Sequence, residues 1–288
     1  MAGGCVLLLI ALIAAFASPL IHWYGHEPST FNSTLTSFDT GVPIGRFGGI
    51  STRHWLGVEP VNGRDILARL IAGSRTSLVI AGLATLVSLL LGTVTAVLAG
   101  YYGGVLDAVM VFFYDMLLTV PSLLLALALV TFLSQSPSVF GLSGENLSLA
   151  LVIFLLGFGG FPYLGRLIRG QVLSLREKEF IEAARSLGAS DLRIMARELM
   201  PNLIGPLVVW TSLTLPINVL GESAFAYLGI GVRPPTASWG GMLSEAQDYY
   251  MADPLYLLLP GTALFVTVLA FNLFGDGLRD ALDPKSSQ

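Results

Sequence analysis

Six long apolar runs divide this chain of 288 residues. They cover residues 4–21, 76–99, 107–133, 147–165, 203–224 and 255–274. A transmembrane helix needs about 20 mostly apolar residues, and these runs are close to or above that length. Only 12% of the residues are charged, whereas a soluble domain has about 25%. We therefore predict an all-α membrane protein with six transmembrane helices. The small net charge of −4 argues against a nucleic-acid partner.

The first run, within residues 1–21, has two interpretations besides a retained helix. Ala15-Phe16-Ala17 resembles a signal-peptide cleavage site, but the run lacks the preceding lysine or arginine that a signal peptide requires. Cys5 follows a short stretch similar to a lipoprotein cleavage box, but no apolar run precedes it. We favour a retained helix with an unmodified thiol. A single cysteine also excludes a disulfide within the chain.

Basic residues concentrate between the fourth and fifth runs. The seven there, of fifteen in the chain, are Arg166, Arg169, Arg176, Lys178, Arg185, Arg193 and Arg197. Cytoplasmic loops carry an excess of such residues, so this connection is predicted to be cytoplasmic. Six crossings then place both termini in the cytoplasm, including the tail 275–288. Five arginines on the predicted external side oppose this rule: Arg46, Arg53, Arg64, Arg69 and Arg75.

The predicted external segment 22–75 has two parts. Residues 26–53 are rich in Ser, Thr, Gly and Pro, which is typical of an irregular loop. Residues 64–73 place apolar side chains at helical spacing and predict an interfacial amphipathic helix before the second crossing. Residues 76–288 then form a core of five helices, with a polar loop at 176–201.

The polar loop has the pattern of two short helices. One predicted helix carries Phe180, Ile181, Ala184 and Leu187 on a single face, and the other carries Leu192, Ile194, Met195 and Leu199. Such faces fit a groove on another protein. Anionic lipid is the alternative partner for the arginines. The acidic residues among them oppose lipid charge, so docking on a protein is favoured.

A sharp turn is predicted between these two helices. Gly188 can adopt the left-handed conformation that ends a helix. Ser190 can cap the second helix, and the charge of Asp191 suits its positive end. Pro201 fits poorly in a helix interior, so we expect the second helix to stop or kink there.

At these residues the sequence resembles a family. Glu182-Ala183-Ala184, followed by Gly188 and Pro201, is similar to the EAA loop of permease subunits of binding-protein-dependent ABC importers. Further strings resemble the dipeptide, oligopeptide and nickel branch: HWLG (54–57), GRD (63–65), AGYYGG (99–104), GESAFAYLGIGVRPPTASWGGML (221–243) and FNLFGDGLRDALDP (271–284). The resemblance covers residues 50–285. Glu198, and Val58-Glu59 after HWLG, depart from the common pattern.

The resemblance implies a type I ABC importer permease fold in the bacterial inner membrane. Two permeases, usually different, would enclose the path, and an external binding protein, often a lipoprotein, would deliver the ligand. Each EAA helix would dock on one of two ATPase subunits. The implied coupling residues are Glu182, Ala183, Ala184, Ser186, Leu187, Gly188 and Asp191. ATP and Mg²⁺ would bind the ATPases, because this sequence has no GxxxxGK[ST] motif. We expect no cofactor and no catalysis in this chain.

Two acidic residues lie within predicted helices. Asp115 is well inside the third and Glu222 is near the outer end of the fifth. Charges in such places are costly and usually face a partner or water. Both are candidates for the substrate path, and an interhelix or intersubunit hydrogen bond is the alternative.

Three smaller features complete the predictions. Pro121 should kink the third helix, and Gly157, Gly159 and Gly160 should allow close helix packing in the fourth. His22 and His26 have the i, i+4 spacing of metal ligands. Because Trp23 and Tyr24 lie between them, an interfacial aromatic belt is the favoured interpretation, and no metal site is expected.

These features predict a permease for dipeptides or oligopeptides. Nickel or another small solute is the alternative cargo within the same class. An ion-coupled secondary carrier, in which Asp115 would titrate, is less favoured because it needs no ATPase-docking loop. An intramembrane enzyme lacks any recognisable nucleophile or metal motif.

Overall fold

The computed structural model describes residues 2–45, 47–134, 138 and 141–282, with the backbone alone for residues 2, 130–134 and 282. Arg46, Lys285 and the rest of the tail beyond residue 282 lie outside the described residues. The helices are α1 (Ala2–Ala15), α2 (Ala17–Tyr24), α3 (Ile66–Tyr102), α4 (Gly104–Thr119), α5 (Ser122–Ser134), α6 (Gly144–Leu175), α7 (Glu179–Ser186), α8 (Asp191–Ile194), α9 (Met200–Tyr227), α10 (Trp239–Ala246) and α11 (Pro254–Leu282). A 3₁₀ turn covers Ser33–Leu35, and a π-helical turn covers Met195–Leu199. Within the described residues β pairing is limited to two isolated bridges.

The described helices provide up to six membrane crossings. Four are single long helices: α3, α6, the unit formed by α8, the π turn and α9, and α11. Two more arise if each bent pair is one crossing, α1 with α2 and α4 with α5. The all-α fold is thus confirmed, and the described helices give four to six candidate crossings.

The two bent crossings each break at one or two residues. α4 and α5 meet at 79°, and Pro121 lies between them, as predicted. Proline disfavours helical conformation in the residue before it, and Val120 is extended. The first predicted crossing is bent, because α1 and α2 meet at 69° around Phe16. Pro19 lies in the first turn of α2, where a missing N–H is tolerated, whereas it would disrupt the interior of a continuous helix.

The second crossing is longer than predicted. α3 is one helix of 37 residues, so the predicted interfacial helix at 64–73 is not separate but supplies its first turns. Asp65 caps it, since its Oδ1 accepts the N–H of Ala68 at 2.8 Å. At 1.5 Å per residue, α3 is roughly 55 Å long. Features at its two ends therefore lie on opposite sides of a bilayer.

The most extensive helix packing joins α3 to α6. A Cβ on Gly157 would lie 2.7 Å from the Val87 side chain, so only glycine permits this approach. The Ser88 hydroxyl donates to the Gly157 carbonyl at 2.6 Å, and Gly160 also packs on Ser88. The predicted role in close packing is confirmed for Gly157 and Gly160, whereas Gly159 faces open space.

Buried charges fasten the segment before α3 to the rest of the bundle. Glu59 lies between Arg64 and Arg69 and pairs with both. The two arginines also bond Glu245 of α10, with Arg69 Nη1 at 2.7 Å from its Oε2. The Tyr256 hydroxyl donates to the same oxygen at 2.6 Å. Two of the arginines that opposed the charge rule are thus buried structural residues.

Candidate coupling site

Residues 179–199 form a sharp elbow, which consists of α7, the turn at Gly188, α8 and the π turn. Gly188 has φ +79°, so the predicted left-handed turn is confirmed. The N–H of Gly188 donates to the Arg185 carbonyl at 3.0 Å, and that of Ala189 donates to the Ala184 carbonyl at 3.1 Å. These bonds satisfy carbonyls that the helix end leaves unpaired. Nothing lies within 4 Å of a Cβ at Gly188, so glycine is required here by backbone conformation and not by crowding.

The helix that begins at Asp191 does not stop at Pro201, so the predicted stop was wrong, whereas a kink there stays a prediction. It runs from Asp191 to Tyr227 without a break. The π-helical turn Met195–Leu199 immediately precedes this region, and its wider spacing accommodates a residue that has no N–H. The Asn202 side chain also donates to the Glu198 carbonyl at 2.7 Å. A proline can therefore occupy the second position of α9.

The start of α8 is tied to α3. Ser190 occupies the N-cap position, as predicted, but its side chain makes no capping hydrogen bond. Asp191 instead accepts a hydrogen bond from the Tyr101 hydroxyl at 2.7 Å. The Arg185 guanidinium lies 6.0 Å from the centroid of the same tyrosine ring. The hydrogen bond with Tyr101 raises the pKa of Arg185, so this residue remains a cation.

The inner face of the elbow packs into the bundle. Ile181, Ile194 and Leu199 are fully buried. They belong to one apolar cluster with residues of α3 and α6, among them Val97, Tyr101, Leu164, Ile168 and Val172. Full burial of such a side chain contributes about 1.5–3 kcal/mol. The predicted apolar face of α7 is thus divided, because Ile181 faces the bundle whereas Phe180 and Leu187 are exposed.

The outer face of the elbow is open. The exposed coupling candidates are Glu182, Ala183, Ser186, Leu187, Gly188 and Asp191, and Ala184 is half-buried. Leu187 is 88% exposed and Leu192 is 74% exposed. A shallow depression beside them is lined by Ser190, Leu192, Arg193, Ala196 and Arg197. This surface combines apolar tips with cations and with the carboxylates of Glu182 and Asp191, which suits a protein groove with apolar and mixed polar walls.

Asp115 is paired within the chain. It forms an ion pair with Arg166 of α6, and the two side chains are 49% and 50% exposed. A second pair joins Asp107 to Arg169, with Oδ2 and Nη2 at 2.6 Å. Both arginines were assigned to the polar connection, but they lie in α6, which continues well beyond the predicted end at residue 165.

Glu222 is fully buried where α3, α9 and α10 meet. The Ser77 hydroxyl donates to its Oε2 at 3.0 Å and accepts the N–H of Trp239 at 3.1 Å. A Cβ on Gly240 would lie 3.2 Å from the same carboxylate oxygen. These contacts fit the interhelix alternative. A place for Glu222 in the substrate path stays a prediction.

At the other end of α3, the structure groups residues that the sequence did not connect. His26 lies beside His54, with ring centroids 4.6 Å apart. His54 Nδ1 is 2.8 Å from Asp65 Oδ2. The spacing of His22 and His26 drew attention to a pair, but the neighbour of His26 is 28 positions further along. No local pattern in the sequence signals this contact.

Comparison with known proteins identifies the family. The family described as binding-protein-dependent transport system inner membrane component matches residues 90–288. The chain belongs to this family. It is therefore a multi-pass inner-membrane permease subunit of a transporter and not itself a catalytic subunit, and the resemblance noted in its motifs is confirmed.

Curated relatives cover most of the chain. The glutathione transport system permease protein GsiD of Pectobacterium atrosepticum is 40% identical over 237 residues, which is 82% of this chain and 74% of that protein. The dipeptide transport system permease protein DppC of Alkalihalophilus pseudofirmus is 36% identical over 282 residues, 98% of this chain and 84% of that protein. These relatives belong to the peptide branch that the motifs indicated.

Solved structures share the fold. The MetNI methionine ABC transporter in an inward-facing conformation matches with a TM-score of 0.59 and 18% identity, over 76% of this chain and 98% of that chain. An amino acid ABC transporter, crystallised with histidines, matches with a TM-score of 0.55 and 17% identity, over 74% of this chain and 94% of that chain. The predicted importer permease fold is thus confirmed.

Proposed function

We propose that this chain is one half of the translocation path of an ATP-driven importer for short peptides. Relatives with identities of 36% and 40% are named for dipeptide and glutathione transport, and glutathione is itself a small peptide. The other half of the path is a second, homologous permease. Two ATP-binding subunits and an extracytoplasmic binding protein complete the complex.

The elbow faces the cytoplasm in this proposal, as do both termini. The elbow lies at the C-terminal end of α3, whereas residues 22–45 and 47–65 lie before its N-terminal end, across the bilayer. A cysteine at the exposed Ser190, in a chain with Cys5→Ser, tests the orientation. Membrane-impermeant thiol reagents should label it in inverted vesicles but not in intact cells. Labelling from outside would reverse the assignment.

Transport is coupled to ATP through the elbow. Hydrolysis occurs in the partner subunits, with their Mg²⁺, and the outer face of the elbow binds them. Glu182 provides a polar contact, Ala183 and Ala184 keep the surface flat, and Leu187 enters the groove. Since Ile181 and Ile194 are buried in the bundle, motion of the ATPases displaces the spans and not only the loop. This is a coupling between an ATP site and a ligand path.

The observation that carries the proposal is the division of the elbow into two faces. Ile181 is fully buried, whereas Leu187, six positions later, is 88% exposed. A segment that served only to connect two spans would not need a left-handed glycine turn to present a leucine to solvent. A segment that grips an ATPase needs both a fixed inner face and a free outer face.

The ion pair of Asp115 and Arg166 is a candidate for the substrate path. Its side chains are half-exposed although both belong to membrane-spanning segments. A charge facing lipid costs about 2.5–3.5 kcal/mol or more at mid-bilayer. We therefore place this face of α4 and α6 towards the second permease and the path. A peptide brings an ammonium and a carboxylate, which match these two charges.

The test is a comparison of ATPase association with uptake in membranes that contain the complete importer. Glu182→Arg should lower both the amount of ATPase recovered with the permease and the uptake of a labelled dipeptide. Asp115→Asn should lower uptake and leave ATPase recovery unchanged. If Glu182→Arg leaves both measurements unchanged, the coupling role is wrong.

A further inference from the structure

Three potential metal ligands from distant parts of the sequence meet before α3. They are His26, His54 and Asp65, and one donor atom of each lies within 4.8 Å of the others. The chain has only three histidines, and two of them are in this group. The fold gathers them from two residues beyond the end of α2, from the loop that follows and from the N-cap of α3.

The neighbours of this cluster hold its donors in place. Asp65 Oδ2 accepts hydrogen bonds from His54 at 2.8 Å and from the Tyr24 hydroxyl at 3.0 Å. Its other oxygen caps α3. The backbone N–H of His54 donates to the Ser51 hydroxyl at 3.1 Å. The Tyr24 ring also lies edge-on to His26, with centroids 4.8 Å apart. The arrangement is therefore fixed before any ligand arrives.

Some coordinating capacity in the cluster is unused. Within the described residues, no hydrogen bond reaches the Nε2 atom of His54 or either ring nitrogen of His26. His54 is 9% exposed and Asp65 is 1% exposed, while His26 is partly open to solvent. His26 thus offers free ring nitrogens beside the hydrogen-bonded pair of His54 and Asp65.

We propose that His26, His54 and Asp65 bind a divalent transition-metal ion. Two imidazoles and one carboxylate form a set that suits Zn²⁺, Ni²⁺, Co²⁺ or Cu²⁺, whereas Mg²⁺ and Ca²⁺ prefer oxygen ligands alone. Three protein ligands leave one or more positions for water. His54 Nδ1 and Asp65 Oδ2 lie 2.8 Å apart, and both bind the ion once the proton between them is released.

The ion adds a further link between three elements that already contact one another. It connects the end of α2, the loop carrying His54, and the start of α3, on the side of the bundle opposite the elbow. The ion is thus a permanently bound structural ion on this face of the permease, and it is not the transported cargo. It goes beyond the proposed function, because neither ATPase coupling nor a peptide path requires it.

The test uses the full-length protein in detergent, purified without a histidine tag and treated with a chelator. Titration with Co²⁺ should give visible absorption bands that saturate at one ion per chain, and Zn²⁺ should displace it. His26→Ala and His54→Gln should each weaken Co²⁺ binding at least tenfold, as should Asp65→Asn, since asparagine also caps helices well. The matched control is His22→Ala, which removes the third histidine and should leave binding unchanged.

Two results would overturn the proposal. One is the absence of saturable Co²⁺ or Zn²⁺ binding to the unaltered chain. The other is equal loss of binding in His22→Ala and His26→Ala, which would indicate nonspecific binding to surface imidazoles. Thermal unfolding with and without Zn²⁺ gives an independent measurement, because a ligand that binds the folded state raises the melting temperature. ATPase recovery, measured on the same variants, separates this question from the coupling role.

Discussion

The Tyr101 hydroxyl donates a hydrogen bond to the Asp191 carboxylate across 2.7 Å. This bond joins the last turn of α3 to the first residue of α8, within the elbow. Tyr101 is 8% exposed and belongs to the apolar cluster that also contains Ile181 and Ile194. The elbow is thus held against α3 by a polar contact in addition to its apolar anchors.

Tyr101→Phe removes this bond and keeps the ring. A hydrogen bond to a charged group contributes about 1.5–3 kcal/mol, so the elbow should become looser. We expect lower peptide uptake per ATP hydrolysed, with ATPase recovery unchanged, because the outer face is intact. The neighbouring Tyr102→Phe is the control, since Tyr102 is 52% exposed. If the two variants lower uptake per ATP hydrolysed equally, the hydrogen bond of Tyr101 does not contribute to coupling.

Ile181→Ala and Leu187→Ala separate the two faces of the elbow. Loss of the fully buried isoleucine should destabilise the protein by about 2–5 kcal/mol and lower its melting temperature in detergent. Loss of the exposed leucine should leave the melting temperature unchanged and reduce recovery of the ATPase. A fall in stability with Leu187→Ala, or normal ATPase recovery, would contradict the assignment of the faces.

Substitutions at Gly188 should follow backbone preference. Alanine in the left-handed region costs about 1–2 kcal/mol, whereas asparagine tolerates it better. Gly188→Asn should therefore retain more uptake than Gly188→Ala. Gly188→Pro should be worst, since its φ is fixed near −65° and it lacks the N–H donated to Arg185. Gly170→Ala, in open space within α6, is the control and should transport normally. An uptake order unrelated to φ would refute this account.

Acid should weaken the charge network around Glu245. Burial raises the pKa of Glu245, but its hydrogen bond with Arg69 and that cation's charge lower it more, so the pKa lies below its ordinary value of 4.5. Such a carboxylate stabilises the fold above the unfolded-state pKa, and this contribution is lost as pH falls through the folded-state pKa. The unaltered protein should therefore lose stability as the pH falls below about 4.5.

Glu245→Gln lacks that contribution at every pH. Its melting temperature should be lower at pH 7, by an amount equivalent to about 1.5–3 kcal/mol, and should fall less steeply in acid. Glu179→Gln, on the exposed start of α7, is the control and should follow the unaltered protein. Parallel acid curves for Glu245→Gln and the unaltered chain would show that the network does not titrate in this way.

Local sequence signals predicted much of this fold. Pro121 marks a break because a proline acts on its own backbone, and Gly188 marks a turn because few other residues adopt its φ. The bend at Phe16 was missed, since its cause, Pro19, lies three positions further on. The π turn before Pro201 was also missed, because hydrogen-bond spacing within a helix leaves no clear pattern in composition.

Contacts between residues far apart in the sequence could not be predicted from it. Arg69 meets Glu245 across 176 positions, and no spacing rule connects them. The same holds for His26 with His54. Asp115 and Arg166 were each noticed as charges near apolar sequence, but their pairing depends on how α4 lies against α6. The motifs therefore identified the elbow, while the charged networks needed the fold.

The most direct test of the central claim is cysteine cross-linking from the elbow in native membranes. The chain carries Cys5→Ser and Ser186→Cys, which keeps Leu187, and the complete importer is co-expressed. Ser186 is exposed on the outer face of the elbow. We predict a cross-linked product with the ATPase subunit from position 186, and none from Phe38→Cys, which is fully exposed at the opposite end of the bundle. An ATPase that cross-links elsewhere on the permease, with no product from position 186, would contradict the account.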